Sequence, residues 1–211
     1  MTTFDTQYFA RWYGDYRRQN PPRKSQRYLA MIRRYQQGGA LLDIGCSFGL
    51  FLQQATPLFR CTGMDVSPDV VAAAAANLPD ATFLVGQLPH VPQGPWDVIT
   101  ALDVLEHVPD PDAALAAIRE GLRPGGIALV VVPVYDGPLG WLTRLLDKDP
   151  THLHKTSRRY WLDLAARHLE LVAWQGFLRK LIWGRWYLNL PMTRLRALAP
   201  AVALVLRRPM E

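Results

Sequence analysis

Cysteine is scarce in this 211-residue chain: Cys46 and Cys61 are the only two, and neither belongs to a CxxC pair or a Cys/His cluster. A disulfide scaffold and a structural zinc site are therefore not expected, and the cytoplasm, a reducing compartment, is the expected location. Long apolar runs are missing as well. The longest, Ala197 to Leu206, is about half of the roughly 20 residues a membrane-spanning helix needs. The first twenty residues carry Asp5, Arg11, Asp15, Arg17 and Arg18 where a secretory signal would have an apolar core. No fixed-period repeat or low-complexity stretch occurs, apart from an alanine-rich helical run at Val70 to Ala76. What remains is 49% hydrophobic and 20% charged, a globular composition. At this length a chain buries about 70% of its unfolded surface in one core, so a single domain over 1–211 is expected.

Charge is uneven along the chain. Residues 1–40 have eight Lys/Arg against two Asp/Glu, residues 41–150 five against thirteen, and residues 151–211 eleven against three. An acidic middle is flanked by two basic ends, as in a protein whose parts meet different ligands, although solvated arginine-rich helices give the same count.

Apolar periodicity alternates between short runs and helical spacing. Ser25 to Gln37 places Tyr28, Leu29, Ile32 and Tyr35 on one helical face and stops at Gly38 and Gly39. Ala40 to Ile44 reads as a strand that breaks at Gly45, and Phe48 to Phe59 as a helix. Further strands are expected at Cys61 to Val66, Ala81 to Val85, Trp96 to Leu102, Ile127 to Pro133, Glu170 to Phe177 and Val202 to Arg207. Helices are expected from Pro68 to Asn77, with Ser67 as N-cap, and over Asp112 to Leu122 and Thr156 to Leu169. Strands alternating with helices imply a doubly wound α/β layer, in which ligands bind beyond the carboxyl ends of the strands.

The first strand–turn–helix unit reads Asp43, Ile44, Gly45, Cys46, Ser47, Phe48, Gly49. A dinucleotide fingerprint would need glycines at 45, 47 and 50, but Ser47 and Leu50 stand at two of those places. A carboxylate at Asp43 would repel phosphates and attract a cation. Asp65, twenty residues beyond Gly45 at the end of the second strand, suits the ribose hydroxyls of a nucleoside.

Four segments then resemble the class I S-adenosylmethionine-dependent methyltransferases: LLDIGCSFG at Leu41 to Gly49, GMDVSP at Gly63 to Pro68, VITALDVLEHVPDP at Val98 to Pro111 and LRPGGIALVVVP at Leu122 to Pro133. The resemblance covers residues 40 to 133 and implies a seven-stranded Rossmann-like sheet in the order 3-2-1-4-5-7-6, with helices on both faces and Val202 to Arg208 as the antiparallel closing strand. It divides the chain into a helical cap (1–39), a cofactor-binding core (40–135) and an acceptor-side part (136–211). The implied cofactor is S-adenosyl-L-methionine. Asp43, Gly45 and the turn Cys46, Ser47, Gly49 would approach its methionine part, Asp65 and Val66 its ribose and adenine, and Gln87 the adenine amino edge, with Leu88 beside it. Leu102 and Asp103 would line the floor near the reacting methyl group. Two positions depart from the family pattern: Gln87, where Asp is frequent, and Ser47, where glycine is usual.

Methyl transfer needs alignment and, for a protonated acceptor, a base. His107 in LEHV and the pair His152 and His154 are the candidate catalytic residues; packing and loop structure are their alternative roles. A metal held by His152, His154 and Asp149 lacks a supporting ligand cluster, and none is expected. Aromatic and basic residues near the acceptor side, Tyr8, Phe9, Trp12, Tyr13, Tyr16, Arg17 and Arg18 in the cap and Trp183, Arg185, Trp186, Tyr187, Arg194 and Arg196 in the long connection 179–199, fit an anionic or lipid-like small-molecule acceptor, a peripheral membrane contact, or core packing with a solvated rim. A nucleic-acid methyltransferase is the alternative enzyme, but there is no appended RNA-binding module, and Asp103-Val104-Leu105-Glu106 stands where an Asn/Asp-Pro-Pro-aromatic tetrapeptide would be. A non-catalytic cofactor-binding protein is the third reading. Monomer and homodimer both remain open.

Overall fold

The computed structural model describes residues 16–137, 140–147, 149–182 and 186–210. A single helical turn α1 (Tyr16–Gln19) leads into α2 (Pro22–Ile32), whose Pro22 presets the first helical φ. The alternation that follows is β1 (Ala40–Ile44), α3 (Leu52–Ala55), β2 (Arg60–Asp65), α4 (Pro68–Asn77), β3 (Thr82–Val85), β4 (Trp96–Leu102), α5 (Pro111–Gly121) and β5 (Leu122–Pro133). Then come α6 (Gly140–Leu146), α7 (Arg158–Ala166), β6 (Glu170–Ile182), β7 (Trp186–Met192) and β8 (Ala201–Arg207).

The sheet order is β3-β2-β1-β4-β5-β8-β6-β7. The first five strands run parallel, and β8 is antiparallel to both β5 and β6. This is the expected Rossmann-like order with one strand added: the long connection 179–199 contains β7, which pairs antiparallel with the end of β6 from Gly176↔Met192 to Ile182↔Trp186. Its sequence hides it, because Pro191 interrupts the strand pattern and is tolerated only at a sheet edge.

Strand residues alternate between two cores, as a period of two requires. Ala128, Val130 and Val132 of β5 and Val202, Leu204 and Leu206 of β8 face α5 and α7, where Leu115, Ile118, Trp161 and Leu164 cover them. Ile127, Leu129 and Val131 with Ala201, Ala203 and Val205 face α2 and α3, under Tyr28, Leu29, Ile32 and Leu52. Burial on both faces explains why these strands read as unbroken apolar runs.

Three local expectations change. The helix expected over Phe48 to Phe59 shrinks to Leu52–Ala55, confined by left-handed Ser47 (φ 48°) and Gly49 (φ 74°) on one side and Pro57 on the other. The helix expected from Ser25 to Gln37 ends at Ile32; the turns after it lead to Gly39, where a β-carbon would lie 2.2 Å from Asp97 Oδ2, the atom that accepts from Ala40 N at the start of β1. Ser67 occupies the N-cap position of α4 without a side-chain cap bond; its own N–H donates to Asp65 Oδ1. Tyr8, Phe9, Trp12, Tyr13, Trp183 and Arg185, and the side chains of Trp186 and Tyr187, lie outside the described residues. No described helix is long and apolar enough to cross a membrane.

Candidate active site

A cavity of about 370 Å³ opens at the carboxyl ends of the strands, within the range of small-molecule sites, about 300–1,000 Å³. It is lined by ten of the eleven residues assigned to the cofactor: Asp43, Gly45, Cys46, Ser47, Asp65, Val66, Gln87, Leu88, Leu102 and Asp103. Gly49 is the exception. It sits behind the turn, where a β-carbon would meet Phe83 at 3.3 Å, and shapes the turn without lining the cavity.

The turn after β1 is sewn to β2. Gly45 N and Cys46 N donate to Met64 O at 2.7 and 3.1 Å, and Ser47 N donates to Asp65 Oδ2 at 2.9 Å. Gly49 N donates back to Cys46 O. The amides of Gly45, Cys46, Ser47 and Gly49, which could otherwise face a diphosphate, are thus spent inside the protein. At Gly45 (φ 69°) a β-carbon would fall 2.4 Å from Val104 Cγ2, so glycine is required there by both conformation and space.

Two carboxyl groups face this turn. Asp65 is 6% exposed; its oxygens accept backbone N–H groups from Ser47 and Ser67, joined by that of Val66, and the four lone-pair sites of a carboxylate leave room for a further donor. Burial raises its pKa, opposed by those same bonds. Asp43, 2% exposed, accepts a hydrogen bond from Thr100 Oγ1 at 2.6 Å. Burial pushes its carboxyl up to about 7, with Thr100 opposing and Asp65 adding to the rise. The charge expected of Asp43 is therefore incomplete at neutral pH, and a cationic ligand would draw it out.

The other end of the cavity holds Asp103, which the sequence placed there, together with Lys24, Arg179 and Glu106, which it did not single out. Asp103 has φ 60°, a left-handed conformation uncommon for a residue with a side chain. Arg179 Nη1 donates to both its carboxylate oxygens, at 2.5 and 2.6 Å, and Lys24 Nζ stands 3.5 Å away. Burial alone would raise the Asp103 pKa, but Arg179 and Lys24 hold it down at about 2. Glu106, 1% exposed, has Oε2 without a hydrogen-bond partner, and burial followed by the Asp103 charge pushes it up to about 8. Burial thus favours its protonated form. Lys24 lies one turn before Tyr28 on α2, where its spacing puts it on the face of Tyr28, and Glu106 stood unused inside LEHV. Arg179 gave no local signal.

His107 and His152 line the cavity with ring centroids 4.7 Å apart. His107 Nδ1 lies 3.1 Å from Thr151 O and 2.9 Å from Thr151 Oγ1. The Thr151 hydroxyl donates to Asp149 Oδ1 at 2.6 Å. Both Thr151 oxygens therefore accept, which assigns the proton to Nδ1 and the lone pair to Nε2. Burial and the neighbouring His152 lower the His107 pKa to about 4. His152 Nδ1 lies 2.7 Å from Asp147 Oδ2, which also accepts from Tyr135 Oη. Burial would lower the His152 pKa, but Asp147 and the other nearby carboxyls raise it overall. His154 does not join them: its Nε2 meets Val108 O at 2.8 Å and its ring packs edge-on against Trp161, so it holds the loop. Among the described residues one gathering of three metal-capable ligand atoms occurs, within 4.8 Å, and it is Glu106, His107 and His152 rather than the pair with Asp149; a cation there would have to displace the proton that burial keeps on Glu106.

The buried carboxyls, the consumed amides and the lone pairs on Asp65 suit a cationic nucleoside. A family model described as a methyltransferase domain matches residues 16–177. A stretch of 102 residues is 34% identical to a ubiquinone biosynthesis O-methyltransferase of Caulobacter vibrioides, covering 44% of this chain and 40% of that protein. A stretch of 115 residues is 33% identical to a trans-aconitate 2-methyltransferase of Afipia carboxidovorans, covering 53% and 44%. The matches span less than half the length of these curated relatives. A solved S-adenosylmethionine-dependent methyltransferase of Thermotoga maritima shares the fold, with a TM-score of 0.70 at 17% identity over 96% of this chain and 99% of that one. The chain belongs to the class I S-adenosylmethionine-dependent methyltransferase family.

Proposed function

We propose that the protein transfers a methyl group from S-adenosylmethionine to a small-molecule acceptor whose accepting atom arrives protonated. The observation that carries this reading is the opening turn, in which the amides of Gly45, Cys46, Ser47 and Gly49 are consumed internally while two buried carboxyls face the cavity. Bound there, the cofactor supplies a methyl carbon activated by a sulfonium. Asp65 would hold the ribose hydroxyls, Asp43 and the turn the cationic methionine end, and Gln87 and Leu88 the adenine. Leu102 and Asp103 form the floor between the two ends of the cavity.

His152 is the proton acceptor in this reading, oriented by Asp147 and steadied by Tyr135, while His107 is its neutral neighbour. A carboxylate bonded to the far nitrogen of an imidazole fixes the tautomer and stabilises the imidazolium formed on proton uptake. The relatives with small-molecule names support an acceptor of that class. One catalytic domain over 1–211, working in the cytoplasm where the buried unpaired Cys46 and Cys61 stay reduced, completes the proposal.

Calorimetric titration with S-adenosylmethionine and S-adenosylhomocysteine tests it. Asp65→Ala should weaken both by about 10–100-fold, the worth of charge-assisted hydrogen bonds. Unchanged affinity in that variant, or saturable binding of a nicotinamide or flavin dinucleotide in its place, would reject the proposal.

A further inference from the structure

The cavity holds a set of donor atoms that cofactor binding does not use. Glu106, His107 and His152 all line it, and one ligand atom from each lies within 4.8 Å of the other two. Glu106 is 1% exposed, and its Oε2 has no hydrogen-bond partner. A buried carboxyl oxygen left in that state is costly and calls for a ligand. The three residues come from two segments that the backbone ties together. Glu106 and His107 belong to the turn Leu105–His107 after β4, and His152 to the loop after α6, where Leu153 N and His154 N donate to Glu106 O at 2.9 and 3.2 Å.

Both imidazoles are oriented from behind. His107 directs Nδ1 at Thr151 O and Oγ1, which puts its lone pair on Nε2. His152 directs Nδ1 at Asp147 Oδ2, 2.7 Å away, and its Nε2 stands 4.0 Å from Asp149 Oδ2, beyond hydrogen-bond reach. A metal-bound imidazole nearly always gives its other N–H to a carboxylate or a backbone carbonyl, and one ring here does each. Two imidazoles and a carboxylate suit Zn²⁺ better than Mg²⁺ or Ca²⁺, which prefer oxygen throughout. With metal–ligand bonds of about 2.1 Å, tetrahedral ligand atoms stand roughly 3.4 Å apart, so the 4.8 Å span has to close by roughly 1.4 Å. Rotation within the Glu106 side chain supplies that movement at no loss of an Oε2 hydrogen bond. Charge around the cluster is of both signs: Asp103 and Arg179 act on Glu106, and Asp147 with Lys155 stands at His152. The donor set, not a charge balance, therefore selects the ligand.

We propose that Glu106, His107 Nε2 and His152 Nε2 form a site for a zinc-class divalent cation, with Asp147 and Thr151 as positioning residues behind the imidazoles and a fourth position open to the cavity. The site needs only these side chains and goes beyond methyl transfer. A cation bound there takes the place of a proton on Glu106. On the reading of His152 as proton acceptor, it also occupies the lone pair that the base would use, so cation binding and proton removal exclude one another.

The full chain, stripped with a chelator, is titrated calorimetrically with Zn²⁺, with and without saturating S-adenosylhomocysteine. One equivalent should bind in both cases. Nitrogen NMR should show the Nε2 resonances of His107 and His152 shifting while those of His90 and His168 stay in place. Glu106→Gln and His152→Gln should each weaken Zn²⁺ binding by about 100-fold or more, and Asp147→Asn by about 10–100-fold, the worth of a carboxylate behind a ligating imidazole. His168→Gln alters a different histidine–carboxylate pair and should leave the affinity within about twofold. Melting curves show whether each variant folds, and should Glu106→Gln fail to fold, the NMR shifts of the unaltered protein and the Asp147→Asn affinity decide. Absence of saturable Zn²⁺ binding, equal affinity in Glu106→Gln and the unaltered protein, or shifts confined to His90 and His168 overturns the proposal. Failure to bind S-adenosylhomocysteine removes the methyl-transfer reading but leaves the cation site standing, so the two failures are told apart.

Discussion

At the scale of single residues, burial without a partner makes a side chain sensitive to pH. Glu106 changes from an ordinary carboxyl pKa of 4.5 to about 8 on folding, mainly through desolvation. The folded state binds this proton more tightly than the unfolded chain, so the contribution to stability is full below about 4.5 and is lost as pH rises towards about 8. Glu106→Gln, which cannot ionise, should therefore lose less melting temperature than the unaltered protein between pH 5 and pH 8. Parallel curves in scanning calorimetry would show that Glu106 is not the source. His152 is shifted in the same direction by a different cause. Asp147 raises its pKa above 6.5, and Asp147→Asn should lower it, as read by NMR titration of the imidazole; an unmoved titration would leave Asp147 without an orienting role.

Some of these residues were legible in the sequence and others were not. Asp43 and Asp65 follow from a turn and a spacing of twenty. His107 and His152 follow from type and position, but His154 has the same type and position and faces Val108 and Trp161 instead. Lys24 and Arg179 take their meaning from Asp103, 79 and 76 residues away, and no local pattern records such a meeting.

At the scale of elements, the termini of helices decide boundaries that apolar periodicity leaves loose. Asp110 caps α5 by accepting from Asp112 N and Ala113 N at 3.1 and 3.0 Å, so the helix starts at Pro111. Asp110→Ala should cost about 1 kcal/mol in denaturant unfolding with an unchanged m value. A cost near zero would mean that solvent replaces the cap. At Ser67 no such side-chain bond is lost on substitution. The central strands were legible because apolar faces on both sides leave no room for polar alternation. The β7 strand was not, because it lies at the sheet edge and mixes Asn189 and Pro191 with apolar residues.

At the scale of the whole molecule, the cavity is assembled from the cap helix, the opening turn, the end of β4, the loop after α6 and β6. A ligand held by parts so far apart in sequence should stabilise the fold as a unit. With S-adenosylhomocysteine at a hundred times its dissociation constant the gain is about 2.7 kcal/mol. For a chain of this size, at about 2–4 °C per kcal/mol, that is an upward shift of about 5–11 °C in a melting curve. A shift absent at saturation would contradict the assembly of the site from these parts.

The position of β8 has a consequence for synthesis. It emerges after β6 and β7, yet it belongs between β5 and β6, so the hairpin made by β6 and β7 has no sheet to join until it arrives. Roughly 70 residues follow β5 before β8 begins, and at about 5–20 residues per second the apolar edge of β5 waits some 3–14 s for its partner. The nascent chain exposes an adhesive border during that interval, and β8 works as a keystone that is set only after the strands on either side of it are in hand.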